Sequence, residues 1–211
     1  MSEVLTRIGK IRLVPVVVLE DATKAEPLAE ALIAGGLPCA EITFRTAAAA
    51  ESIRRISKYT EICLGAGTVL SVDQVKVAVD SGASFIVSPG FNANVVRYCV
   101  EHHIPVTPGI CTPTEIEMGL EFGLNIFKFF PAEAYGGLKT LKAISAPYGK
   151  IQFIPTGGID ATNVREYLLC KQVVACGGSW MVTKEMIANN KFSEVTALAK
   201  EAVQLVKSLH R

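Results

Sequence analysis

Two patterns of hydrophobic and polar positions alternate along this chain. Short continuous apolar runs, typical of strands buried on both faces, are separated by segments whose apolar residues recur every three to four positions, as in amphipathic helices. The runs begin roughly 20 to 27 residues apart, which indicates repeated strand–helix units. The eight predicted strands cover residues 13–19, 39–45, 63–69, 85–89, 105–110, 126–130, 152–156 and 173–177.

Predicted helices occupy most of the gaps between these strands. The segment 71–81 carries clear local signals, because Ser71 can cap its first turn and Gly82 can end it. Residues 2–10 add a helix before the first strand. The other predicted helices cover residues 22–35, 92–103, 112–122, 162–169 and 193–209.

Strands that alternate with helices pair in parallel, since each connection returns the chain to the same end of the sheet. Two architectures satisfy that condition: a closed (β/α)8 barrel and an open doubly wound sheet. Eight nearly equal units favour the barrel. The open sheet usually carries a glycine-rich loop after its first strand, and residues 20–23 contain no glycine. We therefore predict an α/β fold, a (β/α)8 TIM barrel with an extra N-terminal helix.

Composition agrees with a folded protein and limits its partners. Half of the 211 residues are apolar and 19% are charged, which excludes a disordered chain, and the length suits a single domain over residues 1–211. The net charge of +1 gives no electrostatic reason to expect nucleic acid or an anionic membrane as partner. No apolar run reaches the ~18 residues of a spanning helix, and the first residues lack a signal-peptide core, so we expect a cytoplasmic protein.

The six cysteines are scattered and include no C-x-x-C pair. In a cytoplasmic chain, such cysteines are usually small buried side chains rather than disulfides or metal ligands. The positions of the three histidines in the sequence also make a metal centre shared by them improbable. We therefore expect no metal ion and no cofactor.

The second predicted strand carries polar side chains where a buried parallel strand should be apolar. Because side chains alternate, Glu41, Thr43 and Arg45 share one face, and the apolar residues between them form the other. The apolar face must pack on helices, which directs the polar set into the barrel. The alternative is a buried ion pair that only organises the core.

The sixth predicted strand places Lys128 between Phe127 and Phe129. If the two aromatic rings pack outward, the lysine points inward, where burial disfavours its charged form. A neutral amine is a nucleophile toward carbonyl groups and can form a Schiff base. The alternative is a lysine that extends to solvent at the end of the strand.

Two glycine-rich turns follow the seventh and eighth predicted strands. They contain Gly157 and Gly158 in the first turn, and Gly178 and Ser179 in the second. Loops at these positions of a barrel commonly bind phosphate, since glycine lets backbone N–H groups approach an anion and serine adds a donor. We predict a phosphate site there. Simple relief of backbone strain is the alternative.

Together these residues predict chemistry at a carbonyl carbon. An amine that forms an iminium, with a carboxylate beside it to move protons, can break a carbon–carbon bond two atoms away. The guanidinium of Arg45 can donate two parallel hydrogen bonds to a carboxylate. The predicted substrate is a 2-oxo acid that carries a phosphate at its far end.

Five segments resemble the bacterial 2-dehydro-3-deoxy-6-phosphogluconate (KDPG) aldolase / 4-hydroxy-2-oxoglutarate (KHG) aldolase family, over essentially the whole chain. They are EITFRT at 41–46, GAGTVL at 65–70, KFFPAE at 128–133, PTGGI at 155–159 and GGSW at 177–180. The resemblance implies a metal-independent class I lyase that splits KDPG into pyruvate and D-glyceraldehyde 3-phosphate. It also implies a cytoplasmic homotrimer of the Entner–Doudoroff pathway, with a side activity on KHG.

Matched by position, the resemblance makes Lys128 the Schiff-base lysine and Glu41 the general acid/base. The other implied residues bind the pyruvyl carboxylate region, line the pocket or contact the substrate (Arg45, Thr68, Pro89, Phe130, Thr156), or hold the phosphate (Gly157, Gly158, Gly178, Ser179). No position departs from the family pattern.

Two other functions fit parts of the same pattern. A phosphosugar isomerase or epimerase would use Glu41 as base and Lys128 only for its charge. A non-catalytic phospho-ligand binding protein would need neither residue for chemistry. Release of pyruvate, and its loss when Lys128 is replaced, separates the aldolase from both.

Overall fold

The structure, a computed structural model, describes residues 2–209, where α-helices alternate with β-strands. The strands are β1 (Leu13–Val17), β2 (Cys39–Thr43), β3 (Cys63–Gly67), β4 (Phe85–Val87), β5 (Val106–Thr107), β6 (Gly109–Ile110), β7 (Ile126–Phe129), β8 (Gln152–Pro155) and β9 (Cys176–Gly178). The helices are α1 (Glu3–Ile11), α2 (Ala25–Ala34), α3 (Ala49–Ile56), α4 (Val72–Asp80), α5 (Ala93–Glu101), α6 (Pro113–Glu121), α7 (Gly137–Ser145), α8 (Val164–Leu168), α9 (Lys184–Ala188) and α10 (Phe192–Ser208).

Every strand pairing is parallel, as the sequence predicts. Six strands form one sheet in the order β5-β4-β3-β2-β1-β9, and three form a second in the order β6-β7-β8. The α/β fold with parallel strands is confirmed. The strands form two sheets, however, rather than one continuous ring.

The two sheets are separated at two places. The predicted strand 105–110 splits into β5 and β6 around Pro108, which has no N–H to continue the ladder. In place of the predicted strand 173–177, the structure has the short strand β9. This segment pairs with the segment of β8 only at two isolated positions, Phe153 with Val173 and Thr156 with Gly177.

Alternation along the strands creates two hydrophobic cores. Neighbours such as Leu13 and Val14 of β1 belong to different cores, because successive side chains point to opposite faces. The larger core joins the strands to the helices. The smaller core is formed by side chains on the other face of the strands. Ile8 of α1, the predicted N-terminal helix, packs in it.

Local capping explains several helix boundaries. Ser71 accepts a hydrogen bond from the backbone N–H of Gln74, so the predicted start of α4 is confirmed. Thr112 and Glu115 form a reciprocal capping box at α6. The predicted helix 22–35 instead begins with a 3-10 turn, and α2 starts at Ala25. Helices α3, α7 and α9 were not among the individually predicted segments.

Some features do not occur within residues 2–209. No helix there combines the length and apolarity that a membrane span requires. No three His, Cys, Asp or Glu side chains in that range form a group suited to a metal ion. The six cysteines are free thiols and five are buried, so they serve as small core side chains.

Candidate active site

Lys128 and Glu41 meet on the inner face of the strands. Phe127 and Phe129 of β7 pack in the outer core, so the lysine between them turns inward. Its Nζ lies 3.5 Å from Oε1 of Glu41 on β2, and the two side chains are 6% and 4% exposed. Nζ also lies 4.8 Å from the centre of the Phe130 ring. A buried amine and a buried carboxylate therefore share one inner space.

Room for the Glu41 carboxylate comes from a glycine on the neighbouring strand. A Cβ added to Gly67 of β3 would lie 2.1 Å from Oε1 of Glu41. Real Cβ atoms do not approach an oxygen so closely, so a larger residue would displace the carboxylate. A small cavity of about 10 Å³, which Thr156 also lines, adjoins the Lys128–Glu41 pair.

Arg45 extends from the end of β2 toward the next strand. Its Nε donates a hydrogen bond to Oγ1 of Thr68 at 3.4 Å, and Thr68 follows β3 with a φ of 55°. The left-handed backbone at Thr68 is uncommon for a threonine and sets where its hydroxyl points. The predicted strand 39–45 ends at Thr43, so Glu41 and Thr43 lie on the inward strand face, whereas Arg45 is an exposed residue of the following turn.

A cavity of about 340 Å³ opens at the carboxyl ends of β1, β2, β7, β8 and β9. Seven of the predicted residues line it: Arg45, Phe130, Thr156, Gly157, Gly158, Gly178 and Ser179. Thr156 lines both this cavity and the small one, whereas Lys128 and Glu41 line the small one, so Thr156 separates the buried pair from the open space. The volume suits a small ligand.

The first glycine turn is held in place from two sides. Asn163 donates from Nδ2 to the carbonyl of Gly158 at 2.8 Å, and the backbone N–H of Asp160 donates to Oδ1 of Asn163 at 3.0 Å. Gly157 and Gly158 have φ values of 97° and 78°, which glycine adopts without strain. The side chain and backbone of Thr162 donate to Asp160 and lower the pKa of its carboxyl.

Four predicted residues are not in the lining of this cavity: the buried pair Lys128 and Glu41, and also Thr68 and Pro89. Thr68 accepts the hydrogen bond from Nε of Arg45. Pro89 follows β4, and a Cβ on Gly109 would come within 2.1 Å of its carbonyl oxygen. Since Gly109 pairs with Lys128 in the sheet, Pro89 packs against the strand next to the lysine.

Several lining residues were missed by the sequence analysis. They are Val16, Val18, Ile159, Val182, Thr183 and Lys184. The most consequential is Lys184, because it adds a second cation to the lining beside Arg45. It follows the second glycine turn by a few residues, and that proximity was the available signal. Its Nζ lies 3.2 Å from Oε1 of Glu20.

The arrangement combines three chemical capacities. Lys128 and Glu41 can exchange a proton directly and present an amine to a carbonyl carbon. Arg45 supplies a cation in the lining of the larger cavity for an anionic group. The two glycine turns and Lys184 supply backbone donors and positive charge at the other side of the cavity.

Comparisons with known proteins agree on one family. The family model of KDPG and KHG aldolases matches residues 4–198. A 2-dehydro-3-deoxy-phosphogluconate aldolase of Treponema pallidum is 49% identical over 207 residues, which cover 98% of this chain and 99% of that protein. A KHG/KDPG aldolase of Escherichia coli is 44% identical over 195 residues, which cover 92% of each chain.

Solved structures give the same result. A KDPG aldolase of Legionella pneumophila, solved with pyruvate captured as a covalent carbinolamine intermediate, is 38% identical and matches 95% of this chain and 98% of that one with a TM-score of 0.91. The aldolase of Zymomonas mobilis solved with 3-phosphoglycerate is 38% identical and matches 94% of both chains with a TM-score of 0.88. The chain therefore belongs to the KDPG and KHG aldolase family.

Proposed function

We propose that the protein cleaves KDPG to pyruvate and D-glyceraldehyde 3-phosphate through a Schiff base on Lys128. Aldol cleavage is the activity of the family to which the chain belongs. The 3.5 Å contact between the buried Nζ of Lys128 and Oε1 of Glu41 is the observation that carries the assignment. The covalent carbinolamine in the Legionella relative supports the same route.

The first half of the reaction joins enzyme and substrate. Lys128 gives a proton to Glu41, its amine attacks the C2 ketone, and the carbonyl oxygen becomes the hydroxyl of a carbinolamine. Glu41 protonates that hydroxyl, water leaves, and an iminium remains. The Phe130 ring, 4.8 Å from Nζ, lies beside the new bond.

The second half breaks the carbon–carbon bond. Glu41 takes the proton of the C4 hydroxyl, the C3–C4 bond breaks, and the aldehyde departs. The electron pair of that bond enters the C2–C3 bond and neutralises the iminium as an enamine. Protonation at C3 restores the iminium, and water then releases pyruvate and the free amine of Lys128.

The two ends of the substrate meet different parts of the cavity. We propose that Arg45 and Thr68 bind the carboxylate region, since their side chains are hydrogen bonded beside Glu41. Pro89, Phe130 and Thr156 border the reacting carbons. The phosphate is assigned to the backbone of the glycine turns and to Ser179, with charge from Lys184 (Gly157, Gly158, Gly178, Ser179, Lys184).

The same lysine and glutamate would also cleave KHG, giving pyruvate and glyoxylate. The Escherichia coli relative carries both substrates in its name. KHG lacks the phosphate, so it would use Arg45, Lys128 and Glu41 and leave the glycine turns empty.

A coupled assay tests the proposed function. Lactate dehydrogenase and NADH report pyruvate released from KDPG, with and without a chelator. Lys128→Arg keeps the charge but cannot form an imine, so we expect pyruvate release to fall at least about a thousandfold. Lys150→Arg, an exposed change away from the cavity, is the matched control. Retained lyase activity in Lys128→Arg would contradict the proposal.

We also infer that the two sheets close into one (β/α)8 barrel and a single domain. Hydrogen bonds from the N–H of Phe153 to Gln172 at 2.7 Å and from the N–H of Val174 to Phe153 at 2.9 Å support closure on one side. On the other side, β5 and β6 are continuous through Pro108. Amide hydrogen exchange should find the N–H of Val174 protected, and rapid exchange there would contradict closure.

A homotrimer in the cytoplasm is our remaining proposal, and the location rests on the family resemblance alone. Large apolar side chains on the surface, including Leu70 and Leu169, support contact with other copies. Light scattering should give a mass three times that of the 22.6 kDa chain. The mass of a single chain at micromolar concentration would contradict the trimer.

A further inference from the structure

A partly buried hydrogen bond joins two segments that flank the first glycine turn. Tyr167 of α8, which is 2% exposed, donates from its hydroxyl to Oε1 of Glu133 in the 3-10 turn after β7. Burial and the adjacent carboxylate raise the pKa of Tyr167, so its hydroxyl keeps the proton throughout the neutral range. The sequence analysis gave Glu133 no catalytic role, and the mechanism above does not use it.

Glu133 also packs directly on the glycine turn. Its backbone N–H donates to the carbonyl of Gly157 at 3.0 Å, and the preceding N–H of Ala132 donates to Thr156 at 2.8 Å. A Cβ placed on Gly158 would lie 2.6 Å from both Cβ and Cγ of Glu133. A shift of Glu133 would therefore move the turn.

The opposite wall of the turn belongs to the segment that carries Tyr167. Asn163, just before α8, donates to the carbonyl of Gly158 at 2.8 Å. The turn thus lies between the end of the lysine strand and the start of α8, and the Tyr167–Glu133 hydrogen bond ties these two walls together. Glu133 lies five positions after Lys128, so the tie also fixes the turn relative to the amine.

We propose that Glu133 and Tyr167 are positioning residues that hold the glycine turn 157–158 at the correct distance from Lys128. The pair would allow the phosphate end of the substrate to bind while its ketone reaches the amine. This inference rests on the proposed function, because it presumes a phosphate at the turn and an imine at Lys128. The side chains act through the turn and touch no substrate atom.

Three variants separate positioning from simple stability. Tyr167→Phe removes the donor and keeps the ring. Glu133→Asp keeps the Cβ and Cγ that pack on Gly158 but withdraws the carboxylate from the tyrosine. Glu133→Gln keeps the length and an acceptor oxygen. Tyr59→Phe is the matched control, because Tyr59 also donates to a glutamate, Glu30, at 2.9 Å but lies away from the cavity.

Each variant is measured with two substrates that differ in phosphate. We expect the KM for KDPG to rise roughly tenfold in Tyr167→Phe and Glu133→Asp, with kcat within about twofold. The rate at which borohydride traps pyruvate on the enzyme should stay unchanged, because pyruvate has no phosphate. Glu133→Gln and Tyr59→Phe should match the wild type in both measurements.

The possible results separate this inference from the proposed function. An unchanged KM for KDPG in Tyr167→Phe and Glu133→Asp, or an equal loss in cleavage and pyruvate trapping, would overturn the positioning role alone. No pyruvate adduct in the wild type would overturn the proposed function and this inference with it. If Tyr167→Phe does not fold, the contrast between Glu133→Asp and Glu133→Gln decides the matter.

Discussion

Lys128 and Glu41 lie 3.5 Å apart on strands β7 and β2, with both side chains almost fully buried. A buried ion pair of this kind often returns little stability, because each charge loses its hydration. A catalytic pair has a different reason to be buried, since an amine must be free of water and free of its extra proton to attack a ketone.

Replacing Glu41 with glutamine should slow cleavage while leaving the fold intact. The amide keeps the size of the side chain but cannot accept or return a proton. Because general acid–base catalysis typically contributes 10²- to 10⁴-fold, we expect kcat for KDPG to fall by roughly that factor. The coupled pyruvate assay measures it, with the exposed Glu30→Gln as control. Activity within threefold of the wild type would assign proton transfer to another group.

Gly67→Ala should damage the site by displacing the Glu41 carboxylate. The new Cβ would lie 2.1 Å from Oε1 of Glu41, so the carboxylate must move away from Lys128. We expect kcat to fall at least about tenfold and the melting temperature to fall as well. Gly149→Ala is the control, since a Cβ there meets nothing within 4 Å. Equal activity in both variants would argue against the observed placement of Glu41.

The ion pair between Lys184 and Glu20 should tune phosphate binding. Both side chains are largely exposed, so the effects should be small, roughly two- to fivefold in KM for KDPG. Lys184→Gln should raise that KM, and Glu20→Gln should lower it by freeing the lysine. Added salt should shrink both effects, because it screens exposed charges.

The control for this pair is Lys191→Gln, which removes a lysine that is likewise paired with a glutamate, Glu194, at 3.5 Å. It should leave KM unchanged. The comparison with KHG adds a second check, because a substrate without phosphate should not respond to Lys184→Gln. An equal response of both substrates would contradict the assignment of Lys184 to the phosphate end.

Phe127 should contribute strongly to stability without touching the chemistry. It is fully buried in the outer core, and a Cβ on Gly119 of α6 would lie 2.2 Å from its ring. Phe127→Ala should lower the free energy of unfolding by about 3–5 kcal/mol, measured by urea denaturation. Lys150→Ala, at an exposed position, should change it by about 0.5 kcal/mol or less.

Much of the fold and of the buried pair follows from local sequence rules. The inward orientation of Lys128 follows from alternation, because Phe127 and Phe129 require the outer core. Ser71 could be identified as a cap from its position alone. These features depend on neighbours in sequence, which is why the sequence predicts them.

The missed features depend on contacts between distant segments. Lys184 follows a glycine turn but reaches the cavity only because β9 pairs with β1. The Tyr167–Glu133 hydrogen bond joins residues 34 positions apart. The split at Pro108 was visible in the sequence, since a proline inside a predicted strand lacks the N–H that the ladder needs.

Covalent trapping of pyruvate tests the central claim most directly. The protein is incubated with pyruvate, reduced with borohydride and digested, and the peptides are analysed by mass spectrometry. The account predicts a stable adduct, formed from pyruvate with loss of water and addition of two hydrogens, on the peptide that contains Lys128. An adduct on a different lysine, or an unmodified Lys128 peptide in an enzyme that still releases pyruvate from KDPG, would contradict it.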